Sequence, residues 1–346
     1  MCTSILIKAQ DGSPIYGRTM EWGGFDLRSD LLLVPRDTTF TSALSDHKDG
    51  MAWQNQLGFI AINAVKKPFA TDGMNETGLT LGVLYMPGFA RYQDIMDGEE
   101  AASLNNIDLA AYILGQFGRI ADIKAALPAL RVVYNKDLEK AFGAPIPIHW
   151  IITDKAGDSI IVEYMDGQLQ IHENKIGVLT NSPGYDWHLL NLRNYSNLQP
   201  QDLPTDREIN GVSLRPFGVG SGMHGLPGDS TPPSRFIRAV AFTQTMLPFA
   251  DAAHGVQEAG RIMHNFDIPR GLVCEGQHGD KIIAGYTQWT VIGDIRNKRY
   301  YYWTEFNRRM RMVDLSKLDF SGNQVLTIPL DKVRSEDIKE RTADFS

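Results

Sequence analysis

Apolar and polar positions alternate over Thr3–Lys8 and, after the turn-forming Asp11-Gly12-Ser13-Pro14, over Ile15–Trp22, a pattern that predicts an N-terminal β-hairpin. Further strands are expected at Leu31–Pro35, Trp53–Lys66 and Leu79–Tyr85, with Asp72-Gly73-Met74-Asn75 read as a turn. From Asn106 to Phe117 the period lengthens: Ile107, Ala110, Ala111 and Leu114 share one helical face. A second helix over Ile120–Leu127 stops at Pro128. Strands return at His149–Thr153, Ser159–Tyr164, Gln168–His172 and Gly177–Thr180. Residues Asn181–Asp229, rich in Gly, Pro, Asn and Asp, read as loop with one helix near Trp187–Tyr195. Helices are expected at Pro232–Leu247 and Ala252–Phe266, then strands at Lys281–Ile292, Arg299–Phe306 and Met310–Leu315. Blocks of strands separated by blocks of helices suit an α+β fold of antiparallel sheets covered by helices, not an alternating βαβ fold. No linker or repeat divides the chain, so one domain over 1–346 is expected.

Composition narrows the chemistry. The chain has 346 residues, 43% hydrophobic and 22% charged, with a net charge of -7, which argues against a nucleic-acid partner. The basic run Arg308-Arg309-Met310-Arg311 reads as a solvated strand edge. Two cysteines, Cys2 and Cys274, cannot make a disulfide scaffold. The eight histidines show no HxxH or HExxH spacing, so no metal is expected. The start carries neither a charged n-region nor a long apolar core, and no apolar run is long enough for a membrane span. A cytoplasmic protein with no membrane partner is the expectation.

Two motifs lose to plainer readings. Gly220-Ser221-Gly222-Met223-His224-Gly225 fits GxGxxG, but Leu226-Pro227-Gly228 continues as loop where a dinucleotide site needs a helix. The aromatic cluster Trp289, Tyr300, Tyr301, Tyr302 and Trp303 is read as core and subunit-interface packing.

Cys2 stands out. Loss of Met1 would leave one residue carrying both a thiol and a free amine, a nucleophile with its own base. The hairpin returns Arg18 and Glu21 toward it, and a guanidinium beside a thiol favours the thiolate. Arg18 and Glu21, three apart on a strand, face opposite sides. Met20, Trp22, Phe25, Phe59 and Met86 could line an apolar substrate pocket.

Several stretches in one order resemble the choloylglycine hydrolase family of bile salt hydrolases and penicillin V acylases. They are CTS at Cys2, YGRTMEW from Tyr16, DGMNETGL from Asp72, IHWIITDKAGDSIIVEY from Ile148, GVLTNSP from Gly177, GLPGDSTPPSRFIRA from Gly225 and YTQWTVIGDIRNKRYYYWT from Tyr286. The resemblance implies an N-terminal-nucleophile hydrolase with a four-layer αββα sandwich, no cofactor, and a homo-oligomer, tetramer or dimer. It makes Cys2 the nucleophile, Arg18 the arginine beside the thiol, Asn181 an oxyanion-hole amide and Arg235 a second active-site arginine. Glu21 replaces the family's aspartate, which binds the α-amine. Tyr85, whose N–H would be the second oxyanion donor, stands where penicillin V acylases carry tyrosine and bile salt hydrolases asparagine. The expected substrate is therefore a small amide with an apolar acyl group of the penicillin V kind, or a long-chain N-acyl homoserine lactone. Conjugated bile salts are the alternative. An acyl-ligand binder impaired by Glu21 is the alternative of another class.

Overall fold

The hairpin forms as the alternation predicts, with Cys2–Lys8 and Pro14–Glu21 pairing antiparallel in a register that sets Cys2 opposite Met20 and Ser4 opposite Arg18. The structure is a computed structural model that describes residues 1–96, 98–203, 207–278 and 281–345. The hairpin lies inside a six-stranded antiparallel sheet, between Val178–Leu179 on one side and Thr287–Asp294, Arg299–Thr304 and Arg311–Asp314 on the other. Every residue of Pro14–Glu21 is buried, because layers cover both faces of this sheet.

A second antiparallel sheet of eight strands faces the first, in the order Gln168–Glu173, Ser159–Met165, Ile148–Thr153, Thr80–Tyr85, Lys67–Asn75, Phe59–Ala64, Asp30–Val34 and Leu326–Pro329. Its strands serve two cores. Ile60, Ile62, Met74, Ile151 and Ile161 join the apolar cluster shared with the first sheet. Phe59, Ala61, Trp150, Ile152 and Ile160 join a second cluster with Leu109, Ile113, Leu114 and Ile123. The period of two in a strand makes this division. The helices Leu109–Gln116 and Ile120–Ala126 thus cover the second sheet, while Pro232–Thr245 and Ala252–Met263 pack on the first. Two antiparallel sheets between helical layers are the expected αββα sandwich.

Several expected boundaries move. Trp53–Lys66 is not one strand: Asp49–Gln54 pairs in a separate small sheet, and the chain breaks before Phe59. At the break a Cβ on Gly58 would collide with the Phe320 ring. Lys281–Ile292 likewise divides into Lys281–Gly285, hairpinned with Val273–His278, and Thr287–Asp294. Helix Lys136–Phe142 was not anticipated; the Asn135 side chain caps it by accepting from the N–H groups of Asp137 and Leu138. In the Asn181–Asp229 loop, where residues 204–206 lie outside the described ones, the helix runs Tyr185–Leu192 and ends in a tighter turn through Tyr195. Gly220–Gly225 contains only the short 3-10 turn Ser221–Met223.

The largest correction concerns Asp72-Gly73-Met74-Asn75. These residues end the long strand Lys67–Asn75, and Asp72 is wholly buried. A carboxylate was read as a turn signal because its partners, Tyr16, Arg18 and Tyr300, come from the other sheet. The basic run near the C-terminal strands is neutralised locally: Arg308 pairs with Asp267, Arg309 with Asp337 and Arg311 with Asp331.

Candidate active site

Cys2 opens the first strand and is 2% exposed. Arg18 sits two residues from Cys2's cross-strand partner, within diagonal reach of a long side chain. Its Nη2 lies 3.4 Å from Cys2 Sγ and also donates to the Val83 carbonyl. Its Nη1 donates to Thr71 O at 3.2 Å and lies 3.4 Å from Asp72 Oδ2. The guanidinium is also stacked 5.0 Å above the Trp289 ring. Burial opposes its charge, but Cys2, Asp72 and Tyr16 outweigh that, and its pKa rises above the ordinary arginine value.

Asp72 anchors this side of the site. Tyr16 Oη donates to Oδ2 at 2.7 Å and Tyr300 Oη to Oδ1 at 2.6 Å. Burial pushes the carboxyl up to about 6 against the pull of Arg18 and both hydroxyls. Gly82 makes the cluster possible, since a Cβ there would strike Tyr16 Oη. The aromatic strand residue Tyr300 thus does more than pack.

On the other side, Arg235 rises from the first turn of helix Pro232–Thr245. It donates through Nη1 to the Cys2 carbonyl and, at 2.8 Å, to Thr3 Oγ1, through Nη2 to Asn181 Oδ1 at 2.6 Å, and through Nε to Ser230 O at 2.9 Å. Burial brings it down to about 10, partly countered by the charges of Glu21 and Cys2. Asn181 follows strand Val178–Leu179; its Oδ1 also accepts from Cys2 N at 2.8 Å, and its Nδ2 donates to Tyr85 O at 2.6 Å. Glu21, 1% exposed, accepts from Thr287 Oγ1 at 2.9 Å on Oε1, while Oε2 is buried with no hydrogen-bond partner. Burial raises its pKa, with the chain's terminal ammonium and Arg235 opposing. The terminal ammonium here belongs to Met1, which donates to Glu21 O at 2.9 Å. Cys2, Arg18, Glu21, Tyr85, Asn181 and Arg235 are therefore brought together around one thiol.

A cavity with about 690 Å³ of empty space opens beside that thiol. Met20 and Trp22 line it, together with Leu27, Phe69, Val83, Phe142 and Ile148. Phe25 does not line it but meets the Trp22 ring edge-on at 5.8 Å. Phe59 is buried in the cluster under the helices and does not line the cavity, and neither does the fully buried Met86. Leu27, Phe69 and Phe142 carried no warning in the sequence, because three separate segments supply them. Both cysteines are free, and among the described residues no group of three or more His, Cys, Asp or Glu side chains could hold a metal ion.

Paired antiparallel sheets between helices, with a cysteine heading a central strand over an apolar cavity, define an N-terminal-nucleophile hydrolase. The profile of linear amide C–N hydrolases of the choloylglycine hydrolase family matches residues 2–328, and the chain belongs to that family of amidases. It is 31% identical over 337 residues to a bile salt hydrolase/transferase of Clostridium perfringens, covering 97% of this chain and 98% of that protein. A crystal structure of the C2A conjugated bile acid hydrolase from the same organism superposes with a TM-score of 0.82 at 26% identity, covering 98% of this chain and 99% of the other. The penicillin V acylase of Agrobacterium tumefaciens shares the fold, with a TM-score of 0.76 at 23% identity over 97% of this chain and 95% of that one.

Proposed function

We propose that this amidase hydrolyses conjugates whose acyl half is a large, rigid apolar group of the conjugated bile acid kind, using Cys2 as the nucleophile. The observation that carries this reading is the cavity at Cys2, walled by Met20, Trp22, Leu27, Phe69, Val83, Phe142 and Ile148. The bile salt hydrolase likeness, at 31% identity, supports the same choice over a penicillin V side chain.

In this reading hydrolysis of the Met1–Cys2 peptide frees the Cys2 amine. That amine keeps Asn181 Oδ1 as an acceptor, and the orphaned Glu21 Oε2 offers a second, anionic one. The Cys2 sulfur, with the Arg18 guanidinium 3.4 Å away, attacks the amide carbon as the thiolate. Negative charge builds on the carbonyl oxygen, met by Asn181 Nδ2 and the Tyr85 N–H; one such donor is worth roughly 3 kcal/mol. The Cys2 ammonium gives its proton to the leaving nitrogen, the C–N bond breaks, and a thioester remains. Water, deprotonated by the same amine, then releases the acid and restores the thiol. Burial of Glu21 is the physical reason an ammonium is welcome there, since an unpaired buried carboxylate is costly.

A second reading keeps the chemistry and changes the acyl group. Tyr85 and Trp22 meet edge-on at 5.6 Å, an aromatic wall suited to the flat ring of penicillin V. The test is a mass measurement of the mature N-terminus followed by parallel kcat/KM values for glyco- and tauro-conjugated bile acids, penicillin V and long-chain N-acyl homoserine lactones. The bile acid conjugates are expected to lead. A clear preference for penicillin V moves the assignment to the second reading, and full-rate cleavage with Met1 retained refutes the amine's role.

A further inference from the structure

Two histidines given no role in the sequence reading, His149 within the stretch from Ile148 and His188 outside every quoted stretch, grip the backbone of Asn181 from successive carbonyls. His149, wholly buried on strand Ile148–Thr153, has Nε2 3.2 Å from Thr180 O and Nδ1 2.9 Å from Glu163 Oε1. His188, equally buried, has Nε2 2.8 Å from Asn181 O and stacks on Phe236 with ring centroids 4.6 Å apart. The two rings hold the peptide from which the Asn181 side chain projects toward Cys2 N, Arg235 and Tyr85 O.

The acceptors around His149 fix its protons. A peptide carbonyl only accepts. Glu163 has His149 Nδ1 against Oε1 and accepts from the Tyr185 N–H at 3.2 and 3.1 Å, while His172 Nε2 lies 3.4 Å away as an ion-pair neighbour without a hydrogen bond. Burial would raise this carboxyl, but His149 and His172 beside it outweigh that and bring it down to about 2. Beyond it His172 Nδ1 lies 3.3 Å from the exposed Asp186. Nδ1 of His149 thus faces a carboxylate and Nε2 a carbonyl, an acceptor at each ring nitrogen. His188 differs: Nδ1 is buried with no partner, and burial lowers its pKa to about 4, so it serves as a neutral donor.

We infer that Glu163 holds His149 as a buried imidazolium, and that this cation positions Asn181 for the oxyanion through a charge-assisted bond to the Thr180 carbonyl. His149 touches neither thiol nor cavity wall, so it is a positioning residue. The inference rests on Asn181 supplying an oxyanion donor, as proposed above.

The test compares Asn181→Ala, His149→Gln and Glu163→Gln in the processed enzyme, on whichever panel substrate is turned over fastest. Asn181→Ala tests the underlying reading alone: a wild-type kcat there removes the oxyanion role and this inference with it. If kcat falls in Asn181→Ala, the two other variants are expected to lose about tenfold or more in kcat, as misplaced catalytic groups do, with KM within about twofold. Alkylation of Cys2 by iodoacetamide should keep its wild-type rate, because the contact of Arg18 with the sulfur is untouched. Unchanged kcat overturns the inference, and so does a parallel loss of kcat, substrate affinity and alkylation rate, which a general structural role would cause. Should neither variant fold, ¹⁵N ring resonances of His149 in the wild-type protein decide. Two protonated nitrogens support the imidazolium, and one bare nitrogen overturns it.

Discussion

Arg18 and Arg235 are both buried against Cys2, yet their surroundings are opposites. Arg18 lies between the sheets beside a carboxylate, Asp72, that two tyrosine hydroxyls also hold. Arg235 lies on the helical side and donates only to neutral oxygens: Ser230 O, Cys2 O, Thr3 Oγ1 and Asn181 Oδ1. The consequence shows in their acidities, raised for Arg18 and down to about 10 for Arg235. On the thiol side charge is met by charge within one rigid cluster. On the amine side Arg235 has all its nitrogens bonded to neutral oxygens, and Glu21 Oε2 is buried without a hydrogen-bond partner, an acceptor for the charge that the proposed processing would supply. Fixed charge thus stands beside the thiol, and an unmet carboxylate oxygen where the proposed mechanism moves protons.

The sharpest way to break this comparison is at the residue the two sides share. Cys2→Ala is expected to remove turnover by at least about 10⁴-fold while leaving the thermal unfolding midpoint near wild type; residual hydrolysis above that level would show that another group attacks. Next come the arginines themselves. Arg18→Met strands Asp72 in the interior and should destabilise the fold by about 3–5 kcal/mol, read by urea unfolding. Adding Asp72→Asn should recover part of that loss. Arg235→Met leaves neutral acceptors behind and should cost less stability, about 1–3 kcal/mol, while depressing kcat. Equal losses of stability from the two arginines would erase the distinction.

Proton linkage sharpens the thiol side. Because Asp72 sits at about 6, above an unfolded aspartate, the native protein keeps this proton after the unfolded chain has lost it. Its contribution to stability is therefore present in acid and declines as pH rises toward 6. Activity should run the other way, falling below about pH 6 as Asp72 is neutralised and Arg18 loses its counter-charge. Asp72→Asn should flatten both trends, which paired pH profiles of kcat/KM and unfolding free energy would check. The smallest effect is expected on the amine side: Glu21→Gln should lose more rate than Glu21→Asp, since only the second keeps an anion. Equal, wild-type rates for both would deny the carboxylate a part.

What could be seen in advance followed distance along the chain. The hairpin, the helix at Leu109–Gln116 and the approach of Arg18 to Cys2 were legible because each depends on a local period or a short turn. Phe59 is expected in the cavity wall and is instead buried in the core under the helices, because apolar strands buried on both sides carry no mark of which side chains border a cavity. Asp72 was mistaken for a turn residue for the same kind of reason. Its identity as a buried anion depends on Arg18, Tyr16 and Tyr300, the last more than two hundred residues away.

The sequence by itself determined the layered class of fold, the family and the five polar residues that converge on Cys2, since periodicity and ordered motifs survive without coordinates. Only the tertiary structure decided which carboxylate answers which arginine, which apolar side chains meet in one cavity, and that His149 and Glu163 stand behind Asn181. Those relations belong to contacts between sheets, where burial and pairing set the charge of each group, and no local pattern of residues encodes them.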